Sequence, residues 1–198
     1  MAYSKSQLNG SLFIAMAALL WATDTVFRYP LVQNYHPIFV VWCEHLVALG
    51  AILIISQLRG TLNYGQLTLK NWLGVIFIGA AGSGLATVLF TASFQSTNPS
   101  VAILLQKLQQ VFTVIFAFLF LKEKPRGRFF LWAGIALGSS LFVSFPDLLR
   151  GKWTQVDWVS VGPFYALFAA VLWSLSTVIG RSLLSNLTPA TVTLWRYT

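Results

Sequence analysis

The sequence predicts an all-α integral membrane protein, a multi-span helical bundle of five-helix inverted-repeat architecture whose second repeat is incomplete. Three observations carry this. Of 198 residues, 57% are hydrophobic and 9% charged, against about a quarter charged in soluble domains. The apolar residues gather into runs long enough to cross a ~30 Å hydrocarbon core, separated by short loops that hold most of the Lys and Arg. Finally, residues 10–46 lie over residues 162–198 without a gap, so the chain begins a second time.

Each span follows from local signals. The clearest is Val101–Leu121, free of Pro and Gly, which at 1.5 Å per residue crosses the core once before the chain breaks into KEKPRGR. Before it come a short polar leader (MAYSKSQLN) and a first span over Gly10–Phe27. The charges Asp24 and Arg28 at its end, and the spans that follow, mark an uncleaved helix and not a secretory signal. RYPLVQNYH is read as a turn region leading to Pro37, which suits the first turn of a second span ending near Ser56. The third span covers Trp72–Phe94, where Gly74, Gly79, Gly82 and Gly84 permit close helix approach. STNPS is a tight link, and Pro99 opens the fourth helix. A fifth span covers Phe129–Phe145, with Gly134 and Gly138 at GxxxG spacing. This pair reads first as packing within the protein and second as a homodimer face. A sixth span, about Val159–Leu184, follows the loop PDLLRGKWTQVDW, and a seventh apolar element begins in TPATVTLWRYT. The domain plan is a first repeat over 1–145, a connecting loop over 146–158 and the start of a second repeat over 159–198.

The net charge of +8 could point to nucleic acid, but the basic residues sit in short loops between apolar spans. That distribution is an orientation signal and a contact for lipid headgroups, with no nucleic-acid partner. Eight Lys/Arg flank the spans on the leader's side (Lys5, Arg59, Lys70, the four of KEKPRGR, and Arg181). Three (Arg28, Arg150, Lys152) lie on the other, which puts the amino terminus in the cytoplasm. The single cysteine, Cys43, excludes an intrachain disulfide and a Cys-rich metal site. There is no nucleophile paired with a base, no HExxH and no phosphate loop, so neither an enzyme nor a cofactor is expected.

Laying the two copies together, at an offset of 152, pairs Trp21 with Trp173, Thr25 with Thr177, Asn34 with Asn186 and Pro37 with Pro189. The unit contains five spans, an odd number, so the second copy must enter the membrane the other way up, as in many secondary transporters. The chain is accordingly expected to be part of a protein of roughly ten spans.

The helices ALLWAT and AVLWSLSTV that open each half, the fourth-helix ending FAFLFLKEKPRGR and the following FFLWAGIALGSSLFV resemble the EamA-type branch of the drug/metabolite transporter superfamily. That family closes its fourth helix with a glutamate, and Glu123 stands at the matching place. One departure is Gln110, where the family commonly carries a proline, which leaves a proline-dependent bend of that helix without its proline. The resemblance implies ten helices in two inverted halves that move a small polar or amphipathic solute, often outward.

Charges inside a span cost roughly 2.5–3.5 kcal/mol on insertion scales and default to functional candidates. Glu44 and Lys107 each fall seven residues into a helix from the outer side, ~10 Å deep, which suggests one outer-half polar site. Lys107 would bind an anionic group there or Glu44 would couple to protons; a structural Glu–Lys pair is the plainer alternative. Asp24 and Arg28 read as interfacial charges. Gln106, Gln109, Gln110 and Thr113 share an arc of helix four with Lys107 at its edge, as either a cavity wall or a hydrogen-bonded helix seam. Trp21 and Trp173 would stack on a solute or simply pack. His45, beside Glu44, would relay protons or, more commonly, pack between helices. Arg196 takes the repeat position of Glu44 and should lie in the inner half. The functional expectation is cofactor-free secondary transport of a small metabolite or drug-like solute across the plasma membrane, outward, by alternating access. The rival is a non-transporting membrane subunit that packs with partner membrane proteins, in which Glu44 and Lys107 only pair with each other and no cavity reaches either surface.

Overall fold

A computed structural model describes residues 5–58, 60, 67–144, 147, 151, 161–185 and 187–197. Arg59, Phe145, Arg150, Lys152, Asn186 and most of the 146–158 loop lie outside them. Backbone in hydrocarbon must satisfy its own hydrogen bonds, and here it does so entirely as helices, with no strand among the described residues. They are α1 (Lys5–Asn34), α2 (Pro37–Leu58), α3 (Leu69–Ser96), α4 (Pro99–Leu121), α5 (Gly127–Ser144), α6 (Val161–Leu183) and α7 (Pro189–Tyr197). Five of these (α1 to α4 and α6) are long and apolar enough to cross a membrane.

The helix starts follow local chemistry. Thr68 caps α3 by accepting from the Asn71 amide (3.3 Å), and Asn98 caps α4 by accepting from Ser100 (2.9 Å) ahead of Pro99. At the other end of α4, Lys122 turns left-handed (φ 57°) and the backbone N–H of Glu123 closes on the Ala117 carbonyl at 3.3 Å.

Three features depart from the sequence-based expectation. First, α1 does not end in a turn at RYPLVQNYH; it runs through Pro30 to Asn34. Proline removes one ladder donor, but one contact from α3 and one within α1 brace the turn that follows. Gln95 donates to the Val32 carbonyl (2.9 Å), and Asn34 donates to that of Pro30 (3.0 Å). Second, the middle of α3, Phe77–Leu85, is π-helical, in the segment that contains Gly79, Gly82 and Gly84. Third, α4 is interrupted at Leu108 although no proline stands there. The Leu108 amide reaches back only to Leu105 (3.0 Å), and the hydroxyl of Ser174 lies 2.9 Å from the Gln109 carbonyl.

The bundle is built around α6. More than half of its span is buried, against 6% for that of α1, which lies at the edge. Lipid offers no hydrophobic drive for helices to associate, so close contact must come from shape and small residues. Ala166, Ala169 and Ala170 of α6 and Ala86 and Ala102 opposite them are fully buried. Gly162 sits against the backbone of Ser96 and the side chain of Thr97, where a Cβ would stand 2.7 Å from that of Thr97. At the other end Leu183 meets Gly74, so α6 runs antiparallel to α3. Because Arg28 meets Thr91 and Tyr29 meets Phe94, α1 runs parallel to α3. The two repeat-equivalent helices α1 and α6 therefore point in opposite directions. Gly134 and Gly138 of α5 face open space, so their GxxxG spacing packs against nothing among the described residues.

Candidate functional site

The intramembrane charges fall into two groups. The first is centred on Arg28, which is 7% exposed. Its Nε donates to Asp24 (2.7 Å), its Nη2 to Asp24 (3.0 Å) and Glu44 (2.9 Å), and its Nη1 to the Thr91 hydroxyl (2.7 Å). Arg28 is thus not an interfacial charge. Because α1 continues past Pro30, Arg28 stands six residues, ~9 Å, short of the helix end, and burial obliges it to find partners. Asp24 sits one turn earlier on the same face, and α2 brings Glu44 from the neighbouring helix. Glu44 also borders an apolar groove lined by Leu31, Tyr35, Phe39 and Cys43.

The second group surrounds a cavity of about 330 Å³ between the two repeats. The first repeat contributes Trp21, Gln106, Lys107, Gln109 and Gln110; the second contributes Trp173, Ser176, Thr177 and Arg196. The break at Leu108 bends the backbone where Lys107 and the glutamines meet this space. Gln106 is 6% exposed, yet its amide has no hydrogen-bond partner among the described residues. That amide borders the cavity, whereas the hydroxyl of Ser176 is itself fully buried and unpartnered. Buried polar groups are normally paired, and exceptions call for a reason.

Glu44 and Lys107 therefore do not share a site: the carboxylate is held by Arg28, and the ammonium faces the cavity without an ion pair among the described residues. Equal depth along two helices says nothing about which way each side chain faces around its axis. Arg196 shares the cavity wall with Lys107 instead. Each stands seven residues from opposite membrane faces, ~10 Å in, and two long side chains span the remaining third of the core.

A short hydrogen-bond chain connects α2, α3 and α7. The Nδ1 atom of His45 lies 2.8 Å from the Val41 carbonyl, which only accepts, so Nδ1 carries a proton. In the neutral ring Nε2 then accepts from the Ser83 hydroxyl (3.0 Å), and Ser83 Oγ accepts from Nε of Arg196 (3.3 Å). The His45 ring also packs edge-on against Tyr197, with centroids 5.4 Å apart. Arg28, Ser83, Thr91 and Ser176 do not stand out as site residues from sequence. Only Arg28 carries a usable signal, its i,i+4 spacing from Asp24. No group of three or more His, Cys, Asp or Glu able to hold a metal occurs among the described residues.

Comparison with known proteins gives a consistent result. The family model of the EamA-like transporter family matches residues 8–145. The riboflavin transporter ImpX of Fusobacterium nucleatum is 28% identical over 197 residues, covering 97% of this chain and 65% of that protein. An uncharacterized transporter of Clostridium kluyveri is 27% identical, covering 87% of the chain and 56% of that protein. The uncharacterized inner membrane transporter YhbE of Escherichia coli is 24% identical, covering 96% and 59% respectively. The chain spans roughly three fifths of the length of these relatives, and no solved structure matches it. With well over half of its residues matched by the family model, the chain belongs to the EamA-like transporter family.

Proposed function

We propose that the protein is a secondary transporter that carries a small, polar, ring-bearing solute out across the plasma membrane by alternating access, with the inter-repeat cavity as its solute site. The observation that carries this reading is the composition of the cavity wall, drawn from both repeats, where repeat-equivalent Trp21 and Trp173 meet edge to face with centroids 6.1 Å apart. A solute held between two inverted bundles is exposed to one side or the other as the bundles rock. Gln106 supplies hydrogen-bonding atoms that the protein itself leaves unused among the described residues. Trp21, which is 52% exposed, supplies a flat apolar face for a ring. The π-helical stretch of α3 borders the same region and is where the helix can flex.

The rival reading, a packing subunit, expects Glu44 to pair with Lys107, and the Glu44 carboxylate is held by Arg28 instead. A relative named as a riboflavin transporter makes riboflavin, a flat polar heterocycle, the first solute to try, and a relative named as an inner membrane transporter favours the plasma membrane. The test is solute flux by the natural full-length protein in liposomes. A solute carried by the wild type and lost with Trp21→Ala or Gln106→Ala supports the assignment. Flux that both variants leave intact removes the solute from this cavity, and a protein that carries nothing from a broad metabolite panel is not a transporter.

A further inference from the structure

We infer that the inter-repeat cavity takes an organic anion carrying an aromatic ring, an inference that rests on reading the cavity as the solute site. The wall holds two cations, Lys107 and Arg196, and no carboxylate. The carboxylates of α1, α2 and the turn after α4 are committed elsewhere: Asp24 and Glu44 to Arg28, and Glu123 to Arg181. Lys107 has no ion pair among the described residues, and the one hydrogen bond of Arg196 goes from Nε to a neutral hydroxyl, leaving its Nη donors unspent. Two like charges facing one cavity repel each other and call for a counter-charge. A cationic solute would add to that repulsion, and a neutral one would leave it in place. A carboxylate or phosphate would accept charge-assisted hydrogen bonds from both. A bare inorganic anion would answer the charge alone. The unpartnered amide of Gln106 and the exposed face of Trp21, both on the cavity wall, would remain unused in a space large enough for a ring.

The test is a binding titration on the purified full-length protein, followed by tryptophan fluorescence and calorimetry. The probes are aromatic acids matched with their uncharged amides (benzoate, nicotinate, indole-3-acetate), with inorganic phosphate as the ringless anion. At least one acid should bind about tenfold or more tightly than its amide, the contribution expected of a charged hydrogen bond. The preference should shrink in high salt. Lys107→Gln and Arg196→Gln should each reduce it severalfold, and Lys107→Arg should retain it. A thermal melt of each variant separates lost folding from lost binding. Equal or tighter binding of the amides overturns the anion but leaves the solute site standing. Phosphate binding as tightly as the acids overturns the ring. If no acid or amide binds at millimolar concentration, the inference and the solute site fall together.

Discussion

Both carboxylate oxygens of Glu44 lie 2.9 Å from Nη2 of Arg28. This contact turns Asp24, Arg28 and Glu44 into one unit in which a single guanidinium serves two carboxylates and the Thr91 hydroxyl. It also frees Lys107 from any structural role as a counter-ion. The intramembrane charges thus divide into two sets with different roles. One ties α1 to α2 and α3, while the other faces the cavity.

The side chain of Arg28 is 8% exposed, whereas those of Asp24 and Glu44 are 32% and 36% exposed and less enclosed by the protein. Removing the cation should therefore cost more than removing either anion. Arg28→Met is expected to destabilise the purified protein by about 3–5 kcal/mol. Glu44→Gln should lose only about 1.5–3 kcal/mol, because Asp24 still holds the guanidinium. Arg28→Met combined with Glu44→Gln should be non-additive by about 0.5–3 kcal/mol, whereas Glu44→Gln with Lys107→Met should be additive within about 0.5 kcal/mol. Thermal or denaturant unfolding in detergent measures both cycles. An additive Arg28/Glu44 cycle would show that the observed contact carries no coupling.

What the sequence revealed of this molecule depended on whether the signal was local. Pro37 and Pro99 open α2 and α4, because a proline at the first turn acts on its own backbone. The repeat was legible from the offset between Trp21 and Trp173, and the structure brings these two rings within 6.1 Å of each other. His45 and Tyr197, also 152 residues apart, touch as well. Equivalent residues can meet in this way only near an axis relating the two repeats. The path of α1 beyond Pro30 was not legible, since contacts from Gln95 and Thr91, more than sixty residues away, override the local penalty. The break at Leu108 was hidden for the same reason: its supporting hydroxyl belongs to Ser174. Of the candidate site, Trp21, Gln106, Lys107 and Gln110 do line one cavity. Asp24, Glu44 and His45 were separated from it by directions that depth along a helix does not encode.

Gly82 sets the distance between α3 and α6. A Cβ built there would overlap the side chain of Ser176, so the close approach requires glycine. Gly82→Ala should destabilise by about 1–3 kcal/mol, as overpacking of a filled interior does. Adding Ser176→Gly should recover part of that loss, because it removes both atoms in the way. Ser176→Ala alone should be neutral or slightly stabilising, since its hydroxyl is buried without a partner. Thermal melts of the three variants check this, and an unperturbed Gly82→Ala protein would mean that the two helices separate without cost.

The ion pair between Glu123 and Arg181, 2.8 Å long and largely exposed, should contribute less than about 1 kcal/mol and fade with salt. Glu123→Gln should accordingly leave the melting temperature nearly unchanged.

That same contact places the KEKPRGR loop and the end of α6 on one face of the bundle, and this gives the topology a sharper test. With Arg28 now inside the membrane, the Lys/Arg bias between the two faces becomes eight against two, since only Arg150 and Lys152 remain on the far side. Positive flanks stay in the cytoplasm, so the amino terminus, KEKPRGR and the turn after α6 should all be internal. With Cys43 replaced by Ser, a single cysteine at Gly127 or at Ser185 should resist an impermeant thiol reagent in intact cells and react once the membrane is opened. Reaction at both positions from outside would reverse the orientation while keeping the shared face. Reaction at one and protection at the other would contradict the Glu123–Arg181 contact itself, because two residues joined by a 2.8 Å ion pair cannot belong to opposite sides of a ~30 Å core.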